Sequence, residues 1–234
     1  MTESETLLQL GEPVLVDVDL LPRIELGQDN GPALARRLTL GEPVIFAVSP
    51  TVVDDGTPLG EYLRAEARMS SYFILDLVVS VRPEEGESFV NLGVGVQLVS
   101  MDSSREQPIA WSLAPLRSAT PVPLRRTVGL TVKAVLVESK VEQQTEESRE
   151  DNFVVAFGQR ESAFEWRYTA NTQRPLIGTH QMQAVIKAPT GTEVRADIVV
   201  AASVRLPRSG LRGRRYRADL PTRLKTVYSS TTRR

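Results

Sequence analysis

The sequence contains no cysteine and a single histidine, His180. Without cysteine the chain has no disulfide framework, no thiolate zinc site, no iron–sulfur cluster and no cysteine nucleophile. One imidazole cannot build a metal site of two or three histidines, and any histidine-based catalysis would depend on His180 alone. We therefore predict a protein that uses no metal and no other cofactor.

Long apolar runs are missing as well. The longest in the second half of the chain, Ile198 to Val204, is far shorter than the roughly 20 residues that a membrane helix needs. The start, MTESETLLQL, has two glutamates and no basic residue before its apolar patch, which is the wrong polarity for a signal peptide. We expect a cytoplasmic protein without a membrane span.

Sequence motifs for catalysis are also absent. No serine lies in a GxSxG elbow, and no GxxxxGK phosphate-binding loop occurs. Gly93 and Gly95 begin like a dinucleotide fingerprint, but Leu98 stands at the third glycine position, so we interpret them as small residues where another layer approaches a strand. His180 is in phase with Met182 at a strand end, as a structural histidine would be. We predict that the protein is not an enzyme, and a hydrolase working through His180 is a remote alternative.

The strongest positive signal is a period of two, with apolar residues at every second position, as expected of strands with one buried face. The segment VNLGVGVQL shows it clearly, because Val90, Leu92 and Val94 alternate with Asn91 and Gly93. The same pattern recurs in TVGLTVKAVL, NFVVAF, AFEWRY and EVRADIVVAASVRL. We predict that all of these segments are β-strands. Trp166 is in register with Phe164 and Tyr168, which favours core packing over an aromatic platform for a ligand shared with Trp111.

Turn residues separate these strands. RPEEGES, GQRES and APTGTE place glycine or proline where the chain must reverse, and each predicts a β-hairpin. Three hairpins with proline-rich crossings predict an all-β fold of two antiparallel sheets, a β-sandwich. A closed β-barrel is the alternative, because alternation fits both. We divide the chain into an acidic N-terminal segment (1–70) that adds strands to the main fold, a sandwich core (71–206) and an extended basic C-terminal arm (207–234).

Charge is strongly segregated along the chain. Residues 1–100 carry 16 acidic and 6 basic side chains, residues 101–204 carry 12 of each, and residues 205–234 carry 1 acidic and 10 basic. The formal net charge of −1 therefore hides an acidic head and a basic tail. Only four of the 28 basic residues are lysines, so arginine is general in this chain and not special to the tail.

The basic tail is the basis of our functional prediction. We predict a non-enzymatic, protein-binding or structural subunit of an oligomeric intracellular assembly, a homo- or hetero-oligomer, in which the C-terminal arm docks on acidic surface of its own or a neighbouring chain. The partner-binding residues would be the basic side chains Arg208, Arg212, Arg214, Arg215, Arg217, Arg223 and Lys225 and the acidic side chains Asp17, Asp19 and Glu25.

Two alternatives use the same residues. A basic arm also neutralises phosphates, so the protein would be a nucleic-acid-associated structural protein if the arm binds DNA or RNA. Asp17 and Asp19 share one face of a strand and could ligate a hard cation, but the glycine and glutamate of a calcium loop are missing, so a solvated strand face is the better interpretation.

The arm hypothesis makes one clear prediction. Deletion of residues 207–234 should leave a folded sandwich but lower the oligomeric mass in light scattering, because only the docking segment is removed.

Overall fold

A computed structural model describes residues 14–23, 32–48, 58–130, 141–171, 173–207 and 213–229. These residues form strands and two short helices. The helices are α1 (Pro58–Glu66) and α2 (Thr222–Lys225). The strands are β1 (Leu15–Pro22), β2 (Leu34–Gly41), β3 (Val44–Val48), β4 (Ser70–Val81), β5 (Ser88–Ser100), β6 (Ile109–Ala114), β7 (Arg117–Leu130), β8 (Val141–Phe157), β9 (Ala163–Thr169), β10 (Gly178–Pro189), β11 (Val194–Arg205), β12 (Arg214–Asp219) and β13 (Thr226–Tyr228).

The predicted all-β class is confirmed, but the structure does not support the two-sheet sandwich specifically. The 13 strands of the described residues belong to one antiparallel sheet in the order β6-β10-β4-β2-β1-β12-β11-β5-β9-β8-β7, with β3 added on β4 and β13 on β11. The sheet is nearly closed and barrel-like, which supports the alternative that the sequence left open. Alternation reports which face of a strand is buried, and it does not report whether the sheet continues at its edges.

The two ends of the sheet approach each other. Strands β6 and β7 are the end strands, and they are consecutive in the chain. The backbone N–H of Ala110 in β6 donates to Glu161 O at 2.9 Å, and Arg160 N–H donates to Ala110 O at 2.7 Å. These bonds connect the free edge of β6 to the turn between β8 and β9, so the sheet comes close to completing a ring around its core.

One of the three predicted hairpins is present. Strands β8 and β9 pair across the turn at GQRES, where Gly158 has a φ of 83° and a Cβ atom would lie 2.2 Å from the carbonyl oxygen of Ala163. The chain also reverses at RPEEGES and APTGTE, but β4 pairs with β10 and β5 with β11. Turn residues determine where the chain reverses, and the pairing partner is determined by the whole sheet.

The core is built from the alternating positions that the sequence predicts. Leu92, Val94, Ile198 and Trp166 face inward with at most 1% of their surface exposed. Burying such side chains is the main favourable contribution to folding, at about 1.5–3 kcal/mol for each fully buried aliphatic side chain. The residues between them on the same strands face outward, so the outer surface of the sheet is available for other contacts.

The segment predicted to be an extended arm contains a strand inside the sheet. Strand β12 pairs with β1 on one edge and with β11 on the other. Tyr216 and Ala218 alternate with charged residues, and their side chains are buried in the core. Leu224 of α2 is also fully buried. Removing residues 207–234 would therefore take a central strand out of the sheet, and the folded remnant that the arm hypothesis requires is not expected.

Strands β7 and β8 form a long two-stranded ribbon. They are paired from Arg117 and Val155 to Leu130 and Val141, whereas β8 meets β9 only through Val154–Phe157. No other strand among the described residues pairs with the ribbon beyond that point.

The role of the C-terminal segment in the fold can be tested with neighbouring residues of α2. Leu224→Ala should lower the free energy of unfolding by about 2–5 kcal/mol, because the side chain is fully buried. Arg223→Ala is the matched control, and as an exposed substitution it should change this free energy by less than about 0.5 kcal/mol. Urea denaturation measures both, and equal small effects would show that the segment does not contribute to the core.

Candidate functional site

A row of outward-facing residues crosses five adjacent strands of the sheet. The strand registers place Leu21, Arg217, Ala201, Gly93 and Arg167 side by side, on β1, β12, β11, β5 and β9. Directly opposed residues of an antiparallel pair lie on the same face, so this row lies on the outer surface. Its centre consists of small residues and its two sides carry arginines.

A second row runs parallel to the first, two residues further along each strand. The registers pair Asp19 with Asp219, and Val199 and Glu165 each with Gly95. Acidic residues therefore lie beside the arginines on both sides, with Val199 and Gly95 between them. The outer face changes from a basic row to an acidic row over two residues.

The difference in side-chain size produces a groove of about 1150 Å³ in this face. Its floor follows β11 and β5, where Ala201, Ser203 and Gly93 rise little above the backbone. One side is formed by β1, β12 and α2, and the other by β9. Five cationic and two acidic side chains line the groove, which gives a net charge of +3: Arg23, Arg167, Arg215, Arg217, Lys225, Glu165 and Asp219.

Ion pairs hold some of these side chains. Arg167 donates to Glu165 on the same strand, and its guanidinium lies 5.0 Å from the ring centre of Phe157. Among the described residues, no carboxylate lies within ion-pair distance of Arg217 or Lys225. Both side chains are exposed. Arg217 and Lys225 are therefore available to an incoming anion, whereas Arg167 is shared with Glu165.

The structure brings together part of the predicted partner-binding set. Arg215, Arg217 and Lys225 line the groove, whereas Arg223 does not, and Arg214 is partly buried at the start of β12. Asp17 and Asp19 are exposed on β1, but no ion pair among the described residues joins them to Arg214 or Arg217. The predicted residues Arg208, Arg212 and Glu25 lie outside the described residues.

Two cations of the groove could not be identified from the sequence. Arg23 and Arg167 lie far from the basic tail in sequence, and only the pairing of five strands brings them to the same face. The glycines in VNLGVGVQL were the available signal, because glycine weakens a strand interior and often marks a place where something approaches closely.

His180 packs among aromatic rings. Its ring centre lies 4.9 Å from that of Tyr168 and 5.7 Å from that of Phe153, and Arg174 lies 3.9 Å from the Phe153 ring centre. Burial, with a smaller effect of the Arg174 charge, lowers the pKa of His180 below its ordinary value. The neutral imidazole therefore joins the packing where β8, β9 and β10 approach one another, as the structural interpretation predicts.

The two tryptophans lie in different surroundings. Trp166 is completely buried in the core, as the sequence predicts. Trp111 is only partly buried on β6, where the Arg160 guanidinium lies 3.5 Å and the Lys187 Nζ 4.6 Å from its ring centre. Two cations already occupy positions over this ring, so it is not an open aromatic platform.

A network of partly buried hydrogen bonds attaches α1 to the sheet. The Tyr72 hydroxyl donates to Glu66 Oε2 at 2.7 Å, and Lys187 Nζ donates to the same oxygen at 2.6 Å. These hydrogen bonds, led by that of Lys187, lower the pKa of Glu66 to about 2. The network connects α1 to β4 and β10, and we interpret it as structural.

Two features are absent from the described residues. They contain no group of three or more histidine, cysteine, aspartate or glutamate side chains placed to hold a metal ion. None of their helices is long and apolar enough to cross a membrane.

Comparison with known proteins identifies no family for this chain. No protein-family model matches the chain, and no curated protein matches it. Among solved structures, the chain is similar to the NetB toxin of Clostridium perfringens in its membrane-inserted form, with 7% identity, a TM-score of 0.32, and coverage of 92% of this chain and 94% of the toxin. It is also similar to Clostridium perfringens delta-toxin, with 9% identity, a TM-score of 0.28, and coverage of 90% and 91%. At these scores no toxin activity transfers to this chain.

The predicted function, a structural subunit that docks through a C-terminal arm, is corrected by the fold. The segment on which that prediction depended is not an arm, because β12 is paired on both edges. The nucleic-acid alternative used the same arm and is withdrawn with it.

The network around Glu66 predicts a pH dependence. Its folded pKa of about 2 lies below the ordinary value of 4.5, so its contribution to stability is present above pH 4.5 and is lost as the pH falls towards 2. Glu66→Gln should therefore lower the melting temperature at neutral pH, and the difference from the unmodified protein should shrink across that window. Glu61→Gln, an exposed position of α1, is the control. A difference independent of pH would contradict this role.

Proposed function

We propose that the protein is a binding protein and that its ligand carries negative charge and lies in the outer groove. One observation carries this proposal. Arg23, Arg215, Arg217 and Lys225 reach the same groove from β12, from α2 and from the residue that follows β1. Cations in a concave surface concentrate anions near it, and guanidinium groups form paired, charge-assisted hydrogen bonds to phosphate, sulfate or carboxylate.

The position of these cations supports binding rather than fold stabilisation. Arg217 and Lys225 have no carboxylate partner among the described residues, so removing either charge breaks no ion pair there. The floor beneath them is a strand pair with small side chains, which leaves room for a ligand. Exposed cations spread over a flat surface are common, but here they surround a groove of about 1150 Å³.

The proposal is of binding without catalysis, in keeping with the sequence prediction that the chain is not an enzyme. That prediction stays a prediction, as do the cytoplasmic location, the absence of a cofactor, the protein partner and the oligomer. The division into segments 1–70, 71–206 and 207–234 also stays a prediction.

Charge removal in the groove tests the proposal. Arg217→Gln should weaken the binding of an anionic probe by about tenfold to a hundredfold, the equivalent of about 1.5–3 kcal/mol for hydrogen bonds to a charged group. Two probes, tripolyphosphate and a sulfated tetrasaccharide derived from heparin, are titrated into the full chain by isothermal calorimetry.

Arg223→Gln is the matched control, because it removes the same charge from the same basic segment but outside the groove. It should leave the affinity nearly unchanged. Equal losses for the two variants would show that only the total charge of the segment matters, and the groove would not be the site. Binding of neither probe would overturn the proposed function.

A further inference from the structure

Gly93 lies in the middle of the groove floor, and nothing in the fold requires glycine at this position. It lies in the interior of β5, its φ is outside the left-handed region, and a Cβ atom there would meet only the carbonyl oxygen of Ala201, at 4.0 Å. Gly95 is similar, with Val199 O at 3.9 Å. Neither backbone strain nor crowding requires glycine at these positions.

Glycine stabilises a β-strand less than other residues do. In a strand interior it contributes no side-chain packing and loses more backbone freedom on folding than any other residue. Its presence where the fold does not need it indicates that a side chain would be in the way of something else. Gly93 lies between the cationic sides of the groove. The group that needs the space above it is therefore the ligand.

The groove has a definite direction. Arg217 and Arg167 lie in one row, three strands apart, with Ala201 and Gly93 between them. At about 4.8 Å per strand, their backbones are roughly 14 Å apart. A ligand that reaches both arginines must therefore lie across the strands, flat on Gly93 and Ala201, with anionic groups towards its two ends.

The acidic row limits the chemistry of this ligand. Glu165 and Asp219 lie beside the arginines in the groove lining, together with the polar side chains of Asn91 and Ser203. Carboxylates repel a chain of continuous negative charge such as polyphosphate, but they accept hydrogen bonds from hydroxyl groups. A ligand that satisfies both rows presents hydroxyls as well as separated anionic groups.

The groove also contains two exposed apolar side chains. Leu21 is 44% and Val199 41% exposed, and both line the groove. They offer contact to the C–H faces of a ring that lies against the sheet. Hydroxyls, separated anionic groups and apolar ring faces occur together in acidic sugars.

We infer that the ligand of the groove is an acidic oligosaccharide of two to four units, bound across β12, β11, β5 and β9, and that Gly93 keeps the floor open for it. This inference rests on the proposed function and names the class of ligand that the same site takes. Asn91, Ser203, Glu165 and Asp219 are assigned to its hydroxyl groups, and Arg217 and Arg167 to its anionic groups.

Three probes test the ligand class on the full chain by calorimetry. The sulfated tetrasaccharide derived from heparin should bind at least tenfold more tightly than tripolyphosphate, and neutral maltotetraose should show no binding. If tripolyphosphate binds as tightly as the sulfated sugar, the groove is an anion site as proposed, but the inference of a sugar ligand is overturned. If none of the three binds, both proposals fail.

A variant of the floor tests the position of the ligand. Gly93→Val adds a side chain that β-strands favour, so the melting temperature should stay equal or rise, while affinity for the sulfated tetrasaccharide should fall at least tenfold. Gln97→Val is the control, because it faces outward on the same strand but outside the groove lining, and it should bind as the unmodified protein does. Unchanged binding by a folded Gly93→Val variant would overturn the inference.

Discussion

The pairing of β12 with β1 and β11 is the interaction on which the rest of the structure depends. It connects strands from the beginning of the chain to strands from its second half, through backbone hydrogen bonds on both edges of one short strand. Without it the sheet would divide into two parts, each with an open edge that exposes unpaired backbone groups. With it the sheet continues from β6 to β7 and wraps around a single core.

The same strand also produces the groove. Successive side chains of a strand point to opposite faces, so β12 buries Tyr216 and Ala218 while it presents Arg215, Arg217 and Asp219 outside. The charges of the C-terminal segment are therefore a consequence of its place in the sheet, with one face in the core and one in solvent. Small residues on β11 and β5 lower the neighbouring surface, and Arg167 on β9 provides the opposite side. Fold and site thus share their main element.

The sequence predicts the strands well because alternation is a local property, visible in VNLGVGVQL and EVRADIVVAASVRL without any knowledge of partners. The same alternation is present in RRYRAD, where Tyr216 and Ala218 stand between charged residues, but the high positive charge directed attention to an arm. Pairing is not local, so the sequence could not show that β4 joins β10 and β5 joins β11, or that the sheet nearly closes. For the same reason Arg23 and Arg167 were missed, whereas Arg215, Arg217 and Lys225 were found through their charge alone.

The central claim is that the outer groove over β5 and β11 is the binding site, and backbone NMR tests it most directly. In a titration of the full chain with the sulfated tetrasaccharide, the amide signals of Gly93, Ala201 and Ser203 should shift the most, with smaller changes on β12 and β9. These amides lie on the floor, where no long side chain separates them from a bound ligand. Shifts concentrated around Trp111 and Lys187, or spread evenly over all exposed arginines, would contradict the account.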